Sequence, residues 1–272
     1  MPLIPRILVP VDFSERCLRM MPYVRQFAEK YQSEVILLHV VNPVYTIPDT
    51  AVSGAIAVPL PERIFKHSAE QLEVFATAEL AGLTVRRLAY EGAPETQIAE
   101  TADTEDVQLL IMPTHGHGVF RTFLLGSITS QVLRDVTRPV LTGAHVNGHS
   151  TAAISTVACA VDLGPQTHNL LAWATELASD FGAKLTVVHA IRQPEHGPEA
   201  IASELKSLVS TANTVAATVH VAEGEPVDAV CSFARNAHAD LLVIGRGGPH
   251  NASLRDHADA IIRQSPCPVL SI

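Results

Sequence analysis

Apolar residues recur along the chain in two alternating rhythms. Short runs of branched side chains, such as Ile7-Leu8-Val9 and Val35-Ile36-Leu37-Leu38, give way to amphipathic stretches of about 11–20 residues with apolar positions at helical spacing. That alternation is the pattern of βαβ units around a parallel sheet buried on both faces. It predicts strands near 6–11, 34–41, 84–90, 107–112 and 139–142, with helices near 15–31, 62–81, 94–104 and 127–136. Five further strands are expected near 155–161, 184–190, 215–221, 240–245 and 268–271.

The pattern is written twice. RILVPVDFSE ends a first strand in Asp12 and SEVILLHVV carries His39, while STVACAVDLG ends in Asp162 and AKLTVVHAI carries His189. Both pairs lie 150 positions apart, which a repeated unit explains and coincidence does not. The later landmarks are VQLLIMPTHG with ADLLVIGRGG and RPVLTG with CPVLSI, which lie 132 and 129 positions apart. Two deletions therefore separate the copies. The first removes 18 positions, mostly from NPVYTIPDTAVSGAIAVPLPER, a Pro-rich stretch read as a long loop over a ligand crevice; the second removes three from the loop after the fourth strand. The polar linker Gly143 to Thr151 divides the chain into domains 1–146 and 152–272. Right-handed crossovers then give an α/β fold of two doubly wound, five-stranded parallel sheets, each of order 3-2-1-4-5.

Composition removes several classes of function. The 272 residues carry 28 acidic and 19 basic side chains, a formal net charge of −9, which argues against a nucleic-acid surface built on clustered Lys and Arg. MPLIPRILVPVDFSE lacks the layout of a secretion signal, and no uncharged apolar run approaches the ~20 residues that span a bilayer. The four cysteines, Cys17, Cys159, Cys231 and Cys267, fit neither zinc knuckles nor a redox pair. A cytoplasmic location with reduced thiols and no membrane partner is the expectation.

The chemistry is expected where the winding of the first sheet reverses, beyond the carboxyl ends of its first and fourth strands. Those ends are Val9-Pro10-Val11-Asp12 and Met112-Pro113-Thr114-His115-Gly116-His117-Gly118. Ten residues past Gly116, Gly126 and Ser127 open a helix. Amides at a helix N-terminus bind anions, and a serine hydroxyl there can donate to a phosphate or coordinate magnesium. Three or four charge-assisted hydrogen bonds of roughly 1.5–3 kcal/mol each suffice to fix a triphosphate.

At these residues the sequence resembles the universal stress protein family in its tandem form. The family signature is Gly, two residues, Gly, nine residues, then Gly followed by Ser or Thr; this chain has Pro113-Thr114-His115-Gly116, nine residues, then Gly126-Ser127. Pro113 stands where the first glycine is expected and lacks an amide hydrogen. The resemblance implies a Rossmann-like adenine-nucleotide-binding fold, with ATP or a relative, and magnesium with it, held in the first half. Pro10, Val11 and Asp12 would follow adenine and ribose, and Val40 would touch adenine. Met112, Pro113, His115, Gly116, His117, Gly126, Ser127 and Ile128 would line the phosphate side. It further implies a stress-response module, pairing of the halves as a pseudo-dimer through the terminal strands, and association of two chains.

In the second half Gly245 to Gly248 is glycine-rich, yet both alignments replace Gly-Ser with an aspartate: Arg255-Asp256 from the carboxyl end, Ala258-Asp259 from the loop. A carboxylate about 4 Å from a phosphate charge costs on the order of 4 kcal/mol at an effective dielectric of 20. No triphosphate is expected there unless Arg246 or Arg255 offsets the charge, while an unphosphorylated or apolar ligand stays open. Asp162 reads as a turn or helix cap, whereas for Asp12 capping and ribose contact can coexist. His39 and His189 read as hydrogen-bonded core histidines, the cysteines as inert thiols, and the His115-Gly116-His117 pair as too few ligands for a metal. No nucleophile elbow is present, so no catalytic residue is expected. Two alternatives accompany the nucleotide reading: an interaction scaffold closed to nucleotide by Pro113, and a slow ATP hydrolase on the same crevice.

Overall fold

A computed structural model describes residues 4–42, 61–114, 125–143, 153–192, 198–211, 217–247 and 252–272. The Pro-rich stretch 43–60, the loop with His115, Gly116 and His117, and most of the linker lie outside the described residues.

The first half runs β1 (Arg6–Pro10), α1 (Glu15–Tyr31), β2 (Glu34–Val41), α2 (Pro61–Val74), β3 (Val85–Glu91), α3 (Pro94–Thr104), β4 (Leu109–Pro113), α4 (Ser127–Asp135) and β5 (Val140–Gly143). The second repeats it as β6 (Thr156–Ala160), α5 (Thr167–Phe181), β7 (Lys184–Ile191), α6 (Pro198–Thr211), β8 (Thr218–Glu223), α7 (Pro226–Asn236), β9 (Leu241–Ile244), α8 (Ala252–Gln264) and β10 (Val269–Ser271).

Alternation along the strands sends side chains to opposite faces. Ile7, Val9, Val35, Leu37, Leu109 and Ile111 join a core under α1, α2, α5 and α6. Leu8, Ile36, Leu38, Leu110 and Met112 join the opposite core under α3, α4, α7 and α8. Both cores run through both halves.

The expected order 3-2-1-4-5 holds in each half, but there are not two sheets. One ten-stranded sheet runs β3-β2-β1-β4-β5-β10-β9-β6-β7-β8. Its centre is the antiparallel pair β5–β10, with Leu141 opposite Leu270; every other pairing is parallel. Each half would otherwise expose the backbone of a terminal strand, and mutual pairing covers both edges at once. The Thr142 hydroxyl donates to the Val269 carbonyl at 3.3 Å and the Ser271 hydroxyl to the Val140 carbonyl at 3.2 Å, near-symmetric bonds across the join. Beside it, Phe27 of α1 packs on Phe181 of α5 with ring centroids 5.2 Å apart. The Tyr31 hydroxyl donates to Asp180 at 2.8 Å, and burial, then that carboxylate, raise its pKa. The halves thus form a pseudo-dimer within the chain.

The helix expected over 62–81 stops at Val74. Ala76 adopts φ of 53°, which breaks the helix, and residues 75–82 continue as turns. Leu72, Ala76 and Leu80 still reach the same core, which is why the periodicity reads as one helix.

Candidate functional site

The carboxyl ends of β1 and β4, adjacent and parallel, gather most of the predicted residues. Pro10 closes β1, and the Val11 amide donates to the Leu38 carbonyl at 2.8 Å, carrying the chain along β2 toward Val40. The Asp12 Oδ1 accepts from the Ser14 amide at 3.0 Å and from the Cys17 thiol at 3.0 Å. Helix α1 is therefore capped by Ser14, whose hydroxyl accepts from the Cys17 amide at 3.3 Å, while Asp12 shapes the turn before it. Phe13 holds that turn at φ of 62° and lies against His39, ring centroids 4.3 Å apart.

His39 Nδ1 meets the Val11 carbonyl at 2.8 Å, and His189 Nδ1 meets the Val161 carbonyl at 2.8 Å. A carbonyl cannot donate, so Nδ1 carries the proton in both. Each histidine ties the end of a first strand to the second, the core role expected from sequence. Burial lowers the His39 pKa. Asp162 Oδ1 accepts from the Gly164 amide at 2.9 Å, a turn contact; α5 begins later, after Gln166.

On the β4 side, Met112 and Pro113 are buried at the strand end, and the Pro113 carbonyl accepts from the Thr129 hydroxyl at 3.1 Å. Thr114 is buried, its hydroxyl donating to the Gly143 carbonyl at 3.2 Å. The Gly126 amide donates to the Thr114 carbonyl at 2.9 Å, so the mouth of the loop is closed at its base. That bond commits the Gly126 amide. Anion donors thus begin at Ser127, and Gly126 contributes its extended backbone, φ −61° and ψ 147°, and its missing side chain. Ser127 and Ile128 are exposed at the first turn of α4, where amides have no intrahelical acceptor. The arrangement fits a phosphate chain with its cation.

The second half differs at this place. Counted from the shared strand ends, Ser127 corresponds to Asp256, yet α8 begins at Ala252. The extra turn carries the helix past the counterpart position, so the Asp256 amide falls inside the hydrogen-bonded helix. Burial raises the pKa of the neighbouring Asp259. Arg246, which sequence offered as a phosphate ligand, turns instead to the end of α4. Its guanidinium donates to the carbonyls of Val136 at 2.8 Å, Arg138 at 2.6 Å and Leu133 at 3.3 Å. Burial lowers its pKa to about 10, which leaves it cationic at neutral pH. The sequence signal for that role was slight: a lone arginine between two glycines.

All four cysteines are buried thiols. Burial pushes Cys17 and Cys159 up to about 12, and Cys231 and Cys267 up to about 11. Among the described residues no cluster of three His, Cys, Asp or Glu could hold a metal, and no helix is long and apolar enough to cross a membrane.

The family model for the universal stress protein family matches residues 4–142 and again 154–272. The chain belongs to the universal stress protein family. Among curated relatives, a universal stress protein of Methanocaldococcus jannaschii is 28% identical over 149 residues, covering 50% of this chain and 92% of the relative. A universal stress protein of Archaeoglobus fulgidus superposes with a TM-score of 0.76 at 22% identity, covering 98% of each chain. Another, from Pseudomonas aeruginosa, superposes with a TM-score of 0.68 at 18% identity, covering 100% of this chain and 94% of that one. These two likenesses establish the fold of this universal stress protein along its whole length.

Proposed function

We propose that the first half binds ATP or a related adenine nucleotide, with magnesium, at the carboxyl ends of β1 and β4, and that the protein acts as a cytoplasmic stress-response module. The observation that carries this reading is the open first turn of α4, where Ser127 and Ile128 stand exposed beside a side-chain-free Gly126. In this reading Pro10, Val11, Asp12 and Val40 form the base and sugar side and Met112 and Pro113 floor the phosphate side; His115, Gly116 and His117, expected with them from sequence, lie outside the described residues. Ser127 would share the magnesium. Titration calorimetry with ATP and magnesium is expected to give one site per chain, lost in Gly126→Asp. Two sites, or none, would overturn it.

Pro113, which removes one amide from the signature, favours the second reading, an interaction scaffold that holds no nucleotide. Absence of any thermal shift with millimolar ATP would select it. Phosphate release above that of Ser127→Ala would instead select slow hydrolysis.

A further inference from the structure

The carboxyl ends of α4 and α8 correspond, yet they are held by different means. The Val136 amide donates to the Val132 carbonyl at 2.9 Å and the Ser265 amide to the Ile261 carbonyl at 2.8 Å, so both helices make their last turn alike. Carbonyls beyond that turn have no intrahelical donor. In the second half the segment leaving α8 is held by its own Ser265, fully buried, whose hydroxyl donates to the Cys267 carbonyl at 2.7 Å and accepts from the Cys267 amide at 3.3 Å. Val136 stands at the matching position and has no polar side chain. Its backbone is extended, φ −88° and ψ 128°, so it forms no left-handed cap of the kind that Gln32 and Gly182 give α1 and α5. The donors come from the other half of the chain, in Arg246, which reaches the carbonyls of Leu133, Val136 and Arg138.

Arg246 is itself fixed by the second half. Its amide donates to the Ile272 carbonyl at 3.0 Å, and the Ile272 amide to the Ile244 carbonyl at 3.0 Å. The brace runs one way, because Thr114, which matches Arg246, keeps its hydroxyl on Gly143 of its own half. The helix braced across the halves is the one whose first turn opens on the proposed phosphate site. With nine residues, α4 is short enough that packing, more than propensity, holds it. The Thr129 hydroxyl on the Pro113 carbonyl fixes its first turn, Val132 and Leu133 bury its middle, and Arg246 fixes its end. A short rod released at one end pivots about its other contacts, and the amides of Ser127 and Ile128 turn with it. Direct attraction between the guanidinium and a phosphate at the far end acts over about 13 Å, more than the ~8 Å Debye length, so the position of the helix carries the effect.

We infer that Arg246 is a positioning residue for the first-half site: through α4, the second half sets the affinity of the first for nucleotide. This rests on the nucleotide reading above and adds its regulation. Coupling is reciprocal, so nucleotide at the start of α4 also tightens the grip of Arg246 on its end.

Titration calorimetry of the full chain with ATP and magnesium, together with amide hydrogen exchange in their absence, tests this. Arg246→Met is expected to weaken ATP on the order of tenfold. It should also speed exchange at Ser130, whose amide bonds the Gly126 carbonyl at the start of α4, as well as at Val136. Arg246→Lys keeps the charge but reaches fewer carbonyls, and should recover part of both. Tyr31→Phe removes the Tyr31–Asp180 bond between the halves without touching α4, and should change neither. Unchanged ATP affinity in Arg246→Met, faster exchange confined to Val136, or an equal loss in Tyr31→Phe overturns the proposal. A wild type that binds no ATP overturns the first-half reading instead, and exchange at Ser130 then decides alone whether Arg246 sets the start of α4.

Discussion

Helices α4 and α8 end at corresponding positions, Asp135 and Gln264, and begin at different ones. α4 has nine residues and opens at Ser127; α8 has thirteen and opens at Ala252. One extra turn thus separates a helix whose first amides face the crevice mouth from one whose amides at the same place are already bonded. On the proposed reading, the capacity to bind an anion at this place is set by where the helix starts. Net charge of −9 is no obstacle in the first half, because backbone amides supply the local positive potential.

Placing a carboxylate at that start should produce the largest effect. Gly126→Asp keeps a good N-cap residue, so α4 should fold normally. The carboxylate beside a phosphate costs on the order of 4 kcal/mol, about a thousandfold in ATP affinity. Asp256→Ser, the reverse change, should gain no ATP binding, because the extra turn of α8 remains. Calorimetry on the two variants tests both claims, and ATP binding gained by Asp256→Ser would show that the aspartate alone separates the halves.

Much of this was legible in the sequence because the repeat left fixed offsets. Strand ends, the Asp12 and Asp162 turns and the two histidines follow from short local patterns that recur 150 positions apart. The joining of the halves into one sheet was less legible. RPVLTG and CPVLSI show that two edges exist, but antiparallel pairing comes from covering both at once. The start of α8 was less legible, since Asn251, Ser253 and Asp256 are all cap-type residues within six positions and the aspartates draw attention to the later ones. Nor does any local pattern around Arg246 indicate that its partners lie more than a hundred positions away, in α4 and the segment after it.

Thr114 and Arg246 occupy matching positions after β4 and β9, and a second comparison rests on them. Thr114 ties its own half together through the Gly143 carbonyl, whereas Arg246 crosses to the other half. Arg246→Met should cost about 2–3 kcal/mol of stability, because three carbonyls at a helix end lose a buried cationic donor. Thr114→Ala, losing one neutral hydrogen bond, should cost about 1 kcal/mol. Urea unfolding of both variants measures the ratio. A smaller loss for Arg246→Met than for Thr114→Ala would mean that the cross-brace contributes little to holding the halves together.

The smallest effect distinguishes the two strand-end histidines' surroundings. Phe13 covers His39, while the matching position in the second half is Leu163, also at positive φ, 59°. Burial depresses the His39 pKa below its usual 6.5, so the folded state resists protonation that the unfolded chain accepts. The stability this contributes is complete above pH 6.5 and is lost as pH falls from there through the depressed native value. His39→Asn retains a donor for the Val11 carbonyl without titrating. Denaturation midpoints of wild type and His39→Asn should therefore converge or cross as pH falls below 6.5, and curves that stay parallel would show that the covered histidine does not contribute to acid sensitivity.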